Sequence, residues 1–257
     1  MCTAVWPNPP LLRTSLLNPN EHGKGVARLF DGIAGWYDFL NHFLSLGLDV
    51  YWRKRLVATV RPGPAGRMLD LAAGTLDVSR EILRHYPDQR VLALDFSRPM
   101  LLKGVGKIRP DTSIFPAQAD GRALPLPAAC VDTVTIAFGI RNILPRAQVY
   151  AEILRVLTPG GRLCILEFGT GQARIWGGLY NFYLTHVLPR IGRLFSRDPQ
   201  AYRYLADTIT AFPPARELAR ELRDAGFATV GYHALCSGIV YVHVAEKPAL
   251  HISRKTP

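Results

Sequence analysis

Across residues 68–168, short apolar runs alternate with longer stretches whose apolar positions recur every three or four residues, a pattern that predicts strands separated by helices. The expected strands are 68–71, 91–95, 131–137 and 163–168, with a weaker one at 113–117. Helices are expected at 77–85, at 99–108 with Ser97 as its N-cap, and at 146–156. Strands alternating with helices imply right-handed crossovers and an α/β, mostly parallel, doubly wound sheet. Upstream, Phe30, Ile33, Tyr37, Leu40, Phe43 and Leu44 recur at helical spacing, so 26–60 reads as a helical prelude broken near Gly47. The run Arg61-Pro62-Gly63-Pro64-Ala65-Gly66 closes it. Downstream, a helix-rich segment at about 171–212 precedes an amphipathic helix at 215–225, ended by Gly226 as a left-handed cap. Strands at 229–233 and 239–245 have too little chain between them for a helical crossover and should pair as an antiparallel hairpin. Residues 1–22 are expected to be a flexible leader, 23–248 one domain, and 249–257 a flexible tail.

In an open parallel sheet, ligands bind beyond the carboxyl ends of the strands, at the switch in strand order. The first strand runs into Asp70-Leu71-Ala72-Ala73-Gly74-Thr75, small residues that let a ligand approach the backbone, and then into a helix N-terminus with free N–H groups. The second strand ends at Asp95, about 20 residues on, where a carboxylate accepts hydrogen bonds from both hydroxyls of a ribose. The loop matches G-x-G-x-x-G poorly, because Ala73 and Leu76 stand where glycines are wanted. That pattern serves a dinucleotide phosphate badly; a nucleoside cofactor without phosphate, such as S-adenosylmethionine, demands less of it. Met100 on the next helix, and Asp120-Gly121 after the third strand, complete the expected cofactor contacts, with the Asp120 carboxylate beside the adenine amino group. A tight-packing turn at 72–76 and a solvated turn aspartate at 120 are the bland alternatives.

A formal charge of +11 predicts attraction to polyanions. The basic residues are dispersed, without the long cationic runs or stacked aromatics of nucleic-acid readers, so a membrane surface is favoured over nucleic acid. Cys2, Cys130, Cys164 and Cys236 are far apart and indicate neither a metal site nor a disulfide framework, which fits a reducing compartment. No stretch of about 18 consecutive apolar residues suggests a transmembrane helix.

Several separated motifs, in order along 29–247, resemble the UbiE/MenG methyltransferases of ubiquinone and menaquinone synthesis. They are Tyr37-Asp38-Phe39-Leu40-Asn41-His42-Phe43-Leu44-Ser45-Leu46-Gly47 with Trp52, Phe138-Gly139-Ile140-Arg141-Asn142, and Arg155-Val156-Leu157-Thr158-Pro159-Gly160-Gly161 through to Glu167-Phe168. His186-Val187-Leu188-Pro189-Arg190-Ile191-Gly192 and Tyr202-Arg203-Tyr204-Leu205 complete the set. The resemblance implies a class I, Rossmann-like, S-adenosylmethionine-dependent C-methyltransferase with an antiparallel strand near the C-terminus. Thr75 and Asp95 match the family's cofactor contacts, and Asp120-Gly121 stand where it usually has Asn-Ala. Ala73 and Leu76 replace glycines, Ala137 a serine, Asp49 a histidine, Thr158 a lysine and Gly169 a serine. Leu76 is expected to narrow the space near the methionine moiety.

Methyl transfer from a sulfonium needs no metal; it needs alignment and an electron-rich carbon. Arg141 and Asn142 are the first choice for the acceptor side, with Arg141 stabilising a phenolate because arginine stays protonated. Pairing of Arg141 with Asp132 or Glu167 is the structural alternative. His186 is a candidate base or hydroxyl orienter. The resemblance implies a prenylated quinol, demethylmenaquinol above all, as acceptor. It also implies a cytoplasmic protein in peripheral contact with the inner membrane face, binding no nucleic acid and admitting a homodimer. A methyltransferase for another lipid-like or phenolic acceptor, and a non-catalytic adenosine-binding scaffold, are the competing readings.

Overall fold

The computed structural model describes residues 45–169 and 207–249, together with Gly25, His42 and Tyr204. The expected leader, C-terminal tail, most of the helix-rich segment at 171–212, most of the prelude upstream of Gly47, and His186 lie outside the described residues. The elements are α1 (Leu48–Val57), β1 (Arg67–Leu71), α2 (Asp77–His85), β2 (Arg90–Asp95), α3 (Arg98–Val105) and β3 (Ile114–Gln118). They continue with β4 (Val131–Ala137), α4 (Arg146–Val156), β5 (Leu157–Phe168), α5 (Ala215–Asp224), β6 (Thr229–Leu235) and β7 (Val240–Glu246).

The strands form one seven-stranded sheet in the order β3-β2-β1-β4-β5-β7-β6. β1 to β5 are parallel, and β7 runs antiparallel to β5 and β6. The chain steps outward from β1 to β3, then returns to the far side of β1 as β4. The crevice where strand order reverses therefore opens at the carboxyl ends of β1 and β4.

Burial explains why the sequence reads so clearly here. All but the last residue of β4 are buried, as a strand covered on both faces by helices requires. One face packs Leu69, Val134, Ile136 and Ile165 against Val149 and Ile153 of α4 and Leu218 and Leu222 of α5. The other packs Met68, Ala93 and Leu166 against Trp52 and Leu56 of α1, Ile82 of α2 and Leu101 of α3. Ser97 caps α3 as expected, its Oγ accepting from Met100 N at 3.3 Å. Gly47, with φ 79°, breaks the chain before α1, and Gly226, with φ 109°, follows α5.

β5 departs from expectation. Its pairing begins at Leu157, six residues earlier than the apolar run, and Pro159-Gly160-Gly161 forms a bulge between the Val131↔Leu157 and Thr133↔Arg162 pairs. Gly160 has φ 74°, and a Cβ on Gly161 would lie 2.7 Å from the Thr158 carbonyl oxygen, so the bulge needs both glycines. The closing hairpin forms as expected, through a short 3-10 turn at Cys236–Gly238, with β7 inserted between β5 and β6.

Candidate cofactor and acceptor site

Asp70, the buried penultimate residue of β1, sits beneath the loop that follows the strand. Its carboxylate accepts from Ser79 Oγ on α2 at 2.6 Å and from Thr135 Oγ1 on β4 at 2.9 Å, tying three elements together under the crevice. Burial pushes the Asp70 carboxyl up to about 6 from its ordinary 3.8, against the hydroxyls that hold it down. The folded state thus binds this proton more tightly than the unfolded chain. The group's contribution to stability is fully present below pH 3.8 and is lost as pH rises to about 6. Asp70→Asn is therefore expected to gain up to about 3 kcal/mol on the parent between pH 4 and 7. Urea unfolding across that range measures the difference, and a pH-independent gap would contradict it.

Beyond Asp70, positive φ alternates along the loop: Ala72 at 57°, Gly74 at 53° and Leu76 at 65°. The second of these turns the Gly74 N–H onto Asp95 Oδ2 at 2.8 Å, while Ser97 N donates to Asp95 Oδ1 at 2.7 Å. Asp95 thus joins the loops after β1 and β2 at the crevice. Met100 reaches back over the same loop, with its Cε 3.5 Å from where a Cβ on Gly74 would stand. Thr75 is buried, its Oγ1 3.5 Å from Asp77 Oδ2 at the start of α2. On the other flank, Gly139 approaches so closely that its Cβ would lie 2.5 Å from Ala72 Cβ.

Asp120 is half-buried and held by Arg122, whose Nη2 donates to Oδ2 at 2.6 Å and whose backbone N donates to Oδ1 at 2.9 Å. Those hydrogen bonds hold its carboxyl below the usual range. Gly121 is buried, and a Cβ there would touch Leu71 and Ile143 at 3.5 Å. Asp70, Gly74, Thr75, Asp95, Met100, Asp120 and Gly121 therefore gather at the carboxyl ends of β1 to β3, with Asp70 as the support beneath rather than on the surface of the loop.

Leu76 does not behave as expected. Its side chain is fully buried and turns into the core, where a Cβ on Gly104 of α3 would lie 2.5 Å from its Cγ. It packs with Trp52, Ile82 and Leu101. The left-handed backbone, at the N-cap of α2, is the conformation a glycine adopts freely. Leu76→Gly is expected to relieve about 1–2 kcal/mol of backbone strain. It also opens a core cavity that costs about 2–5 kcal/mol. The net result should be a lower melting temperature with cofactor affinity within about threefold of the parent, as read by thermal unfolding and calorimetric titration.

The residues expected on the acceptor side lie at the ends of β4 and β5. Phe138, at φ 55°, turns the chain into the 3-10 segment Ile140–Asn142. Arg141 Nη1 donates to Phe138 O and to Glu167 Oε1, both at 2.6 Å, with the two side chains 5% and 1% exposed. Of the two pairings weighed from the sequence, Glu167 rather than Asp132 is the partner. Glu167 Oε2 and Arg141 Nε are buried without a hydrogen-bond partner. Burial pushes the Glu167 carboxyl up, opposed by the Arg141 charge. Phe138 and Phe168 stack at 4.6 Å, Trp52 stands 6.0 Å from Phe138 and 6.1 Å from Phe168, and the Arg141 guanidinium lies 5.6 Å from the Phe168 ring centre. Tyr204 donates to Asn142 Oδ1 at 3.1 Å, and burial pushes its phenol up to about 12. The aromatic trio was legible only as separate motif residues, since nothing in their spacing announces that they meet.

The sequence model of the ubiE/COQ5 methyltransferase family matches residues 18–247. The chain belongs to the ubiE/COQ5 methyltransferase family. Among its relatives, a ubiquinone/menaquinone biosynthesis C-methyltransferase UbiE of Geobacter sulfurreducens is 40% identical over 235 residues, covering 88% of this chain and 90% of the relative. A demethylmenaquinone methyltransferase of Mycobacterium marinum is 38% identical over 225 residues, covering 88% and 94%. The fold is that of class I methyltransferases. A SAM-dependent methyltransferase from Thermotoga maritima superposes with a TM-score of 0.61 at 15% identity, covering 86% of this chain and 98% of the other. The [4+2]-cyclase SpnF superposes at 0.64 and 15% identity, covering 89% and 97%. S-adenosylmethionine is the family's cofactor, and the residues present fit it. Asp95 puts a carboxylate at the carboxyl end of β2, and the Gly74 and Gly139 backbones come close where side chains would crowd the crevice.

Proposed function

We propose that this chain transfers a methyl group from S-adenosylmethionine to a ring carbon of a prenylated quinol, with demethylmenaquinol giving menaquinol as the principal reaction. The observation that carries the reading is the Arg141 guanidinium, fixed by Glu167 at the edge of an aromatic cluster next to the cofactor loop. When bound, the cofactor supplies an electrophilic methyl on a sulfonium. In this reading Asp95 holds the ribose, Met100, Asp120 and Gly121 bracket the adenine, and Gly74 and Thr75 line the methionine end. Phe138 and Phe168, partly buried and backed by Trp52, give a planar acceptor a surface to lie on. Arg141 concentrates positive charge where the quinol oxygen becomes phenolate, which makes the adjacent ring carbon nucleophilic. Asn142, steadied by Tyr204, orients the hydroxyl, and His186 is the proposed base.

The isoprenoid tail of such an acceptor sits in a bilayer, so the protein works from the cytoplasmic side in peripheral contact with the membrane, as a monomer or homodimer. No described helix is long and apolar enough to cross a membrane. The test is incubation of the purified protein with methyl-labelled S-adenosylmethionine and either demethylmenaquinol or the ubiquinol precursor, followed by identification of the labelled lipid. Label in the naphthoquinol is expected; no label in either product defeats the proposal.

A further inference from the structure

We infer that the N-terminal end of α1 is a docking tip for an anionic lipid bilayer. The inference deepens the reading of a membrane-borne acceptor and rests on it for its purpose, while its binding test stands apart.

Four of the nine exposed large apolar residues among those described fall within six consecutive positions: Leu46 at 87% exposure, Leu48 at 39%, Val50 at 38% and Tyr51 at 47%. The inner face of α1 is fully used, burying Asp49, Trp52, Leu56 and Val57. At 100° per residue the exposed positions Val50, Lys54, Tyr51, Arg55 and Leu48, with the C-cap Ala58 between Lys54 and Tyr51, fall on one outer arc. Exposed apolar side chains occupy the N-terminal end of that arc, and the exposed cations Lys54 and Arg55 follow one to two turns later.

That axial separation matches a bilayer surface. With a rise of 1.5 Å per residue, Arg55 stands about 6 Å above Tyr51 and about 10 Å above Leu48 along the axis. An interfacial segment buries its apolar face about 5–10 Å into the headgroup and acyl boundary, so seating Leu46, Leu48 and Tyr51 there brings Lys54 and Arg55 level with the lipid phosphates. The charge of +11 favours approach to an anionic surface from a distance.

The tip is also pre-shaped. Gly47 N donates to His42 O at 2.8 Å and Leu48 N to Ser45 O at 3.0 Å, holding Leu46 at the apex of a turn. Buried Asp49 accepts from Ser45 Oγ at 2.9 Å and from Arg53 Nη2 at 2.6 Å behind that turn. Insertion therefore costs little ordering of the backbone. From the same helix Trp52 points inward to Phe138 and Phe168, so a lipid-facing tip and the acceptor side share one short element.

The experiment is co-sedimentation of the full chain with vesicles of phosphatidylcholine alone and of phosphatidylcholine with phosphatidylglycerol. It compares the parent with Leu46→Glu/Leu48→Glu and Lys54→Glu/Arg55→Glu. All four positions are exposed, and equal melting temperatures check the fold. The parent should bind the anionic vesicles more tightly than the neutral ones. The apolar double variant should bind at least about tenfold more weakly, and the charge-reversed one about fivefold more weakly per residue or worse. Methylation of a long-chain acceptor embedded in vesicles should fall in parallel, while transfer to a short-chain soluble demethylnaphthoquinol stays unchanged. Vesicle binding that survives Leu46→Glu/Leu48→Glu, or no binding by the parent, overturns the inference. So does a concentration-dependent dimer that this variant dissolves without any vesicle binding, which would make the tip a contact between copies. Tip-dependent vesicle binding with neither acceptor methylated upholds the docking tip and defeats only the proposed reaction.

Discussion

Asp95→Ala is expected to raise the dissociation constant for S-adenosylmethionine by at least about a hundredfold. A carboxylate accepting from two ribose hydroxyls contributes about 3–6 kcal/mol, since each hydrogen bond to a charged group is worth about 1.5–3 kcal/mol. Asp95 does a second job in this fold, because its two oxygens also accept from the Gly74 and Ser97 amides and so set the shape of both cofactor loops. The loss should therefore exceed that of the two ribose contacts alone, and Asp95→Asn, which keeps one acceptor oxygen, should fall between. Calorimetric titration with S-adenosylhomocysteine reads the effect without turnover. Normal binding by the alanine variant would show that the ribose lies elsewhere.

Arg141→Ala should cut turnover by about a hundredfold or more, the usual scale for removing a group that stabilises developing negative charge. The structure adds a second consequence. Without the guanidinium, the Glu167 carboxylate is left buried and unpaired, which costs about 3–5 kcal/mol. For a chain of this size that lowers the melting temperature by about 10 °C. A double variant, Arg141→Met/Glu167→Gln, separates the two effects: it should regain most of the stability and none of the turnover, with cofactor affinity within about threefold of the parent. Recovery of turnover in that variant would reduce Arg141 to a structural partner.

Most elements were legible because their periods are unambiguous. The helices at Asp77–His85 and Arg146–Val156 and the strand at Val131–Ala137 were expected at the positions observed. The start of β5 was not, because Pro159-Gly160-Gly161 carries the signature of a turn while its bulge sits inside a paired strand. The strand ends and their spacing put Asp95 and Gly74 at the crevice. They could not place Asp70 below the loop, since its Thr135 partner lies 65 residues away in sequence and only strand register brings the two together. Leu76 misled for a different reason. A leucine in place of a glycine reads as bulk added to the pocket, whereas the left-handed φ aims that bulk into the core, a direction that residue type alone does not encode.

The contact between Leu76 and Gly104 makes the two positions a matched pair. Leucine at 76 fills the volume that a side chain at 104 would need, so a bare Cβ at 104 is excluded while Leu76 is present. Glycine at 76 removes the side-chain part of that exclusion but not the Thr75 backbone, whose carbonyl carbon would lie 2.9 Å from the same Cβ. In a double-mutant cycle Gly104→Ala should therefore destabilise both backgrounds, and the parent by more than the Leu76→Gly variant. The bulk that leucine brings to this cofactor loop is thus taken up against the helix behind it.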